Sequence, residues 1–322
     1  MARTAVLPVI RAYAPNPRGL SRSVPNHSEI MAETVVTTAR HYLDLTKPRL
    51  LPMVLFTGLP VLGMAAGGWP NLSFSLLVMT GIALAAASAN TLNAYIERDL
   101  DALMERTKAR PLPSGLIEPR SALLFGLVLA VASTLLLAYV SGLPAALVGV
   151  ASILFYVFVY TIWLKPRSIW NAVIGGAAGA AAPLIADAAV NGSIGVAGWT
   201  LFAIVFFWQP PHVWAIALYR KDDYKAAGIP MPPEVIGDEA TRRRVVAYTA
   251  GLLPVTLAPY FLGLVGTIYF TVASAAGLWF LYRSIRLFQE RTDEAAREVF
   301  RVSLGFLFAV FVAMLADLLI AL

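Results

Sequence analysis

The stretch NLSFSLLVMTGIALAAASANTLNAYIERDLD, residues 71–101, decides the fold. Residues 71–95 carry no charged side chain, and roughly 20 predominantly apolar residues suffice for a helix to span a bilayer. The run then ends in charge. Asn93, Glu97 and Asp101 recur at i, i+4 and i+8, so they form one stripe along the helix as it leaves the membrane. An uncharged helix closed by an acidic stripe is a membrane span delivering polar side chains to one lipid–water boundary.

Outward from this stretch the pattern repeats. The chain is 58% hydrophobic and only 14% charged over 322 residues, whereas soluble domains carry about a quarter charged residues. Nine stretches have spanning length, at 49–67, 71–95, 121–140, 143–164, 170–190, 194–218, 245–264, 266–285 and 300–321. Gly, Pro and Asn punctuate the joints at 67–70, 141–142 and 191–193. The bases sort cleanly: with Arg49, Arg283 and Arg301 at the span ends counted in the adjoining connection, seven stand at or before the start of the first span, and five, two, six and five go with the connections 2/3, 4/5, 6/7 and 8/9, together all 25 Lys and Arg. By the positive-inside rule the N-terminus is cytoplasmic and the C-terminus lies outside. The expected fold is therefore all-α: a polytopic membrane protein of about nine transmembrane helices around a central cavity.

The formal charge of +6 does not imply nucleic acid, because the basic residues sit between apolar spans rather than in a domain of their own. Anionic headgroups of the lipid bilayer are the matching partner. Cysteine is absent, which excludes disulfides and thiolate metal sites. Residues 1–40 form a separate basic segment, with Arg3, Arg11, Arg18 and Arg22 and no acid before Glu29. It reads as a disordered tail against anionic lipid or as a mitochondrial transit peptide, the tail being preferred. The domain proper is expected over 41–322.

Acids gather in the same connections as the bases: Glu97, Asp99, Asp101, Glu105 and Glu118 in 2/3, and Asp222, Asp223, Glu234, Asp238 and Glu239 in 6/7. Two readings of the first cluster stand side by side. Three oxygen-bearing side chains on one stripe suit a hard cation such as Mg²⁺, which takes one or two carboxylates plus waters and phosphate oxygens. Arg106, Lys108 and Arg110 would then face the other side of a diphosphate. Alternatively the stripe is a solvated helix end with ion pairs to Arg98 or Lys108, which leaves Asn93 at the apolar margin unexplained. The second cluster, Tyr219-Arg220-Lys221-Asp222-Asp223-Tyr224, follows Trp208-Gln209-Pro210-Pro211-His212. The proline pair is expected to break its helix beside a cavity, and His212 is the only histidine beyond residue 41. Small residues at 175–182 suit close helix packing. Asp187 and Asp317, the only acids within spans, read as interfacial. A secondary transporter would hold its ionisable groups near the midplane, unlike this chain.

The run from Asn93 to Asp101, continuing through Arg106 to Gly115, resembles the first acidic motif of the UbiA-type intramembrane prenyltransferases. The resemblance covers roughly residues 45–321. Within that superfamily, residues 206–212, 221–224 and 227–231, with Thr46-Lys47-Pro48-Arg49, look like the protoheme IX farnesyltransferase (heme O synthase) branch. Glu97 stands where most members have aspartate, and Tyr219 replaces the first aspartate of the second motif, which leaves open one metal ion or two. The resemblance implies farnesyl diphosphate and protoheme IX as substrates, and heme O, for respiratory terminal oxidases, as product. It implies Mg²⁺ on Asn93, Glu97, Asp101 and Asp223. Diphosphate and porphyrin would meet Arg106, Lys108, Arg110, Tyr160, Lys165, Tyr219, Lys221, Asp222 and His212, the last as an iron ligand or a porphyrin guide. A bacterial inner membrane is expected, with the mitochondrial inner membrane as the alternative. Heme A synthase or an oxidase-assembly factor is the expected protein partner.

Overall fold

The computed structural model describes residues 27–320, which contain helices, turns and loops and no strand. The chain divides into two compact units, residues 1–39 and 40–322. Of the basic segment expected to be disordered, residues 1–26 lie outside the described residues. The remainder enters α1 (His27–Leu45), a stretch without Pro or Gly that is rich in good helix formers.

Each expected span falls on helix. They are α2 (Leu51–Ala66), α3 (Leu72–Ile96), α5 (Pro119–Ser141), α6 (Leu143–Leu154) continuing as a π-helix (Phe155–Leu164), α7 to α9 (Asn171–Ile174, Gly176–Gly179, Ala181–Asn191), α10 (Val196–Tyr219), α13 (Asp238–Phe261), α14 (Thr267–Glu290) and α15 (Asp293–Ile320). Short helices α4 (Arg98–Asp101), α11 (Lys221–Ala226) and α12 (Pro232–Val235) occupy the charged connections. Among the described residues, six of these rods are long and apolar enough to cross a membrane, α2 is a shorter apolar helix, and α13 and α14 carry charge at one end. The outer face of α5 presents Leu124, Leu127, Val128, Val131 and Leu135 unburied, as a lipid-solvated helix does.

α10 runs at the centre, against α2, α13, α15 and the broken rod α7–α9, while α3 packs on α5. The α3–α5 seam is close because Gly81 and Gly126 carry no side chain. Ser88 Oγ donates to Gly126 O and Ser133 Oγ to Gly81 O, at 2.8 and 2.7 Å.

One expectation is corrected here. Pro210 and Pro211 do not break their helix: α10 continues through them, since each proline removes only one donor from a long ladder. The break lies in the neighbouring rod, at Gly175 and Ala180, and Gln209 Nε2 bonds Gly176 O there at 2.8 Å. Asp187, expected at the interface near the end of its span, is fully buried in the protein. It accepts from the backbone N–H groups of Gly195 and Gly198 at 2.9 and 2.7 Å and from Asn191 Nδ2 at 2.8 Å, holding the start of α10. Asp317 does the same for α14 through Tyr269 N at 2.8 Å. Each carboxylate meets the positive end of a helix dipole.

Candidate active site

The acidic stripe at the end of α3 is buried. Asn93, Glu97 and Asp101 are 2, 5 and 2% exposed. Both carboxylates are neutralised, but not by Arg98 or Lys108. Lys165 Nζ donates to both oxygens of Glu97 at 2.6 and 2.7 Å, and Arg110 donates to Asp101 Oδ2 at 2.8 Å. Arg98 instead caps Tyr95 O, and Lys108 pairs with exposed Glu105 at 2.7 Å. A buried ion pair adds little net stability, because desolvation of both charges offsets their attraction. Its persistence at one membrane face therefore points to chemistry.

Asn93 is the hub of a second chain of bonds. Its Oδ1 accepts from Lys47 Nζ at 2.7 Å, its Nδ2 donates to Thr161 Oγ1 at 3.1 Å, and Thr161 Oγ1 donates to Tyr156 O at 2.8 Å. Lys47 precedes α2 in a left-handed backbone conformation, φ +54°, which a non-glycine residue adopts at a cost. Lys47, Asp101 and Arg110 line one small cleft. Desolvation by burial, reinforced by Arg110 and opposed by Glu97, lowers the Lys47 ammonium to about 8.

The π-helix explains how the fourth span contributes. Its wider turns bond Lys165 N to Tyr160 O, five residues apart, and bring Thr161 and Lys165 to the stripe. Tyr156 and Tyr160 pack ring to ring at 5.1 Å, with Lys165 Nζ 5.8 Å from the Tyr160 ring centre. Gly175 is required beside them, since a Cβ there would overlap the Tyr160 ring. Behind these rings lies a cavity of about 350 Å³, lined by Ile82, Ala85, Ala182 and Gln209 as well as both tyrosines.

The 6/7 connection meets the 2/3 connection through a shared apolar cluster: Met104 packs with Ala217, Ala227, Ile229 and Met231, against Tyr224. Asn171 Nδ2 adds a bond to Pro230 O at 3.1 Å. Asp223 Oδ2 is buried without a hydrogen-bond partner, the Arg220 guanidinium standing off at 3.6 Å. Tyr219 ends α10 and Asp223 lies on α11, so the two do not share one helical face. His212 bonds Ser303 Oγ through Nδ1 at 2.7 Å and lies between the rings of Trp208 and Phe300.

Of the residues expected from sequence, the structure gathers Asn93, Glu97, Asp101, Arg110 and Lys165 at one end of α3 in three separate sets of side-chain bonds, with Tyr160 beside Lys165. It leaves Arg106, Lys108, Lys221 and Asp222 exposed, Lys221 being held by Asp238 at 2.6 Å. Among the described residues no three acidic or histidine side chains converge as a ready-made metal cage. Mg²⁺ does not need one: one or two carboxylates and phosphate oxygens suffice. The two buried carboxylates of the stripe fit that donor set, and Asp223 carries an unpartnered buried oxygen in the neighbouring connection. Sequence reading missed Lys47 as a site residue, Thr161, Gln209 and Ser303. Only Lys47 had a local signal, a cation immediately before a proline and a span.

The chain resembles known proteins over most of its length. The UbiA prenyltransferase family model matches residues 54–314. A protoheme IX farnesyltransferase of Gloeobacter violaceus is 44% identical over 92% of this chain and 95% of its own length. One of Acidiphilium cryptum is 42% identical over 94 and 98%. Among solved structures, a digeranylgeranylglyceryl phosphate synthase superposes with a TM-score of 0.73 at 19% identity, covering 88% of this chain and 99% of that one. A UbiA homolog from Archaeoglobus fulgidus bound to DMAPP and Mg²⁺ gives 0.60 at 20% identity, covering 85 and 98%. With the match spanning most of the helical domain and the buried acidic stripe inside it, the chain belongs to the UbiA prenyltransferase family.

Proposed function

We propose that this multi-pass membrane prenyltransferase transfers the farnesyl group of farnesyl diphosphate to a vinyl group of protoheme IX, making heme O and diphosphate. The observation that carries the reading is the pair of buried, cation-neutralised carboxylates, Glu97 with Lys165 beside the cavity-lining Tyr160, and Asp101 with Arg110 in a small cleft shared with Lys47. The farnesyltransferase relatives, similar over nearly their whole length, supply the substrate pair.

Lys165, Arg110 and Lys47 hold cationic heads at the stripe and would grip the diphosphate oxygens. Asn93, Glu97, Asp101 and Asp223 would hold Mg²⁺, which when bound neutralises charge on the diphosphate. The farnesyl C1–O bond breaks, and its electron pair leaves with the diphosphate. The wall behind Tyr156 and Tyr160 keeps water from the allylic cation. The terminal vinyl carbon of the porphyrin then forms a bond to C1. Water adds at the carbon next to the ring and loses a proton, giving the hydroxyethylfarnesyl side chain. His212 would face the porphyrin, while Tyr219 and Asp222 would border its entry. In the cell we place the protein in a bacterial inner membrane, supplying respiratory terminal oxidases, with heme A synthase or an assembly factor as neighbour.

The test is a purified-enzyme assay with farnesyl diphosphate and either protoheme IX or 4-hydroxybenzoate, read by mass spectrometry. The expected product is the farnesylated hydroxyethyl heme. Prenylated 4-hydroxybenzoate without any heme adduct would overturn the reading in favour of a quinone-precursor enzyme.

A further inference from the structure

α14 and α15 pack side by side as a hairpin whose charge is confined to its tip. Residues 267–282 of α14 and 302–316 of α15 carry no charged side chain, whereas 283–301 hold five arginines and four acids. The charge pattern assigns that tip to the cytoplasm. At the boundary between the two compositions lies a groove of about 370 Å³. Ala276 and Trp279 of α14 line it, with Arg301, Val302, Gly305 and Phe306 of α15. Trp279 and Arg301 are exposed, so the groove opens on the lipid-facing side of the hairpin.

Gly305 keeps the groove open. A Cβ there would have nothing within 4 Å, although the residue lies in the middle of a helix. Gly81, Gly126 and Gly277 differ: a Cβ at each would meet a leucine side chain, at 2.6, 2.8 and 2.5 Å. Packing within the chain demands those three. No neighbour demands Gly305, and a mid-helix glycine is destabilising relative to alanine. The space it leaves suits something outside the chain. A cation stands at one end of that space. Arg301 lies one turn from Gly305 on the same helical face. Its guanidinium reaches Glu294 at 3.1 Å, with both side chains nearly two-thirds exposed, and a pair so exposed holds weakly. A guanidinium has five donors, and this contact uses one. Arg283 and Arg286 are tied to Glu298 and Glu290 instead. Trp279 forms the facing wall, and indole rings favour the headgroup level of a bilayer.

We propose that this groove binds one anionic glycerophospholipid of the cytoplasmic leaflet, its phosphate on Arg301 and one acyl chain along Gly305 between Trp279 and Phe306. The order of the lining argues for a lipid: a cation first, then an apolar slot running toward the uncharged length of both helices. A free phosphate would meet Arg301 and leave the slot unfilled. A neutral apolar molecule would fill the slot and leave the guanidinium unused. An anionic lipid satisfies both, and its headgroup adds to the attraction of a basic residue at the membrane surface. The site lies on helices that contribute none of the buried carboxylates, so it stands or falls independently of farnesyl transfer.

The test uses the full-length protein, delipidated in detergent and titrated with dioleoylphosphatidylglycerol or with dioleoylphosphatidylcholine. Native mass spectrometry counts the bound lipid, and the melting temperature is followed in parallel. The wild type should retain one phosphatidylglycerol about fivefold more tightly than phosphatidylcholine, the worth of one basic residue near an anionic headgroup. Arg301→Gln should close that gap. Gly305→Leu, which fills the slot, should lower retention of both lipids, and Gly305→Ala should lower it less. Inorganic phosphate should not displace the bound phosphatidylglycerol. Unchanged retention in Gly305→Leu, or a lipid preference that survives Arg301→Gln, would overturn the inference. Displacement by inorganic phosphate, or equal retention of the two lipids by the wild type, would do the same. Should Gly305→Leu fail to fold, Arg301→Gln, at an exposed position, decides alone.

Discussion

Two buried aspartates at opposite ends of the bundle are satisfied in different ways. Asp187, at the end that the charge pattern assigns to the outside, accepts from two backbone N–H groups and a neighbouring amide, donors that the fold fixes in place. Asp101, at the end that the charge pattern assigns to the cytoplasm, is held by the mobile end of Arg110, as Glu97 is by Lys165. Backbone donors cannot be lent to a ligand. A guanidinium or an ammonium can swing from a carboxylate to a diphosphate and leave carboxylate oxygens free for a cation. The outer acids build the protein, and the inner ones are poised for exchange.

The largest expected effect breaks this contrast at the inner end. Glu97→Gln or Asp101→Asn keeps shape and volume but removes the charge that Lys165 or Arg110 now neutralises. Product formation per folded molecule, measured by mass spectrometry on solubilised membranes, should fall about 10²–10³-fold, as when one preorganised electrostatic contact to a developing charge is removed. A drop smaller than a few-fold would mean that the carboxylates serve only the fold.

At the outer end the sign of the effect moves from activity to stability. Asp187→Asn loses charge-assisted bonds to Gly195 and Gly198, each worth roughly 1.5–3 kcal/mol. The melting temperature in detergent should drop while the turnover of the surviving folded enzyme stays unchanged. Asp317→Asn, with a single backbone donor at Tyr269, should cost less. Lost turnover without lost stability in Asp187→Asn would place that residue in the chemistry.

Lys47 sharpens the comparison through pH. Its ammonium is lowered from 10.5 to about 8, chiefly by desolvation. Below that value it is charged and grips diphosphate; as pH rises through 8 it becomes neutral. KM for farnesyl diphosphate should therefore rise about tenfold between pH 7 and 9, the worth of one charge-assisted bond, and Lys47→Arg should flatten the profile. Folding stability moves the other way. The unfolded chain holds this proton up to about 10.5, so the burial cost is relieved between 8 and 10.5 and stability climbs with pH there. Opposite slopes for affinity and stability separate this group from a general alkaline effect.

The spans, their charged joints and the stripe at Asn93, Glu97 and Asp101 were legible because each is a local pattern: an uncharged run, a cluster of charge, a four-residue spacing. Partner choice was not. Glu97 finds Lys165 and Asp101 finds Arg110, 68 and nine positions away, rather than the adjacent Arg98 or Lys108, because the π-helix rotates Lys165 toward the stripe. Helical period cannot announce that change of pitch. The proline pair misled for a related reason. A missing donor is a local fact, but whether a helix breaks depends on the packing of its neighbours, and α10 is buried on several sides. The outer aspartates read as interfacial because a sequence shows depth in the membrane and not which backbone N–H groups come to meet a side chain.

The smallest effect is expected between the two ends, in the α3–α5 seam. Ser133 Oγ donates to Gly81 O, a carbonyl that is already within its own helical ladder. Ser133→Ala removes a second donor from that oxygen and leaves none of its helical bonds unmade. Interhelical bonds of this kind average about 0.6 kcal/mol in a membrane, and the variant should show a small loss of stability and full turnover. Ser88→Ala, with its bond to Gly126 O, should match it, and the double variant should show the simple sum, since the two bonds share no atom. A larger loss, or coupling between the two, would mean that the seam is held by its polar bonds rather than by the close approach that Gly81 and Gly126 permit. Only the inner end would then remain as a place where polar groups are kept for something other than the fold.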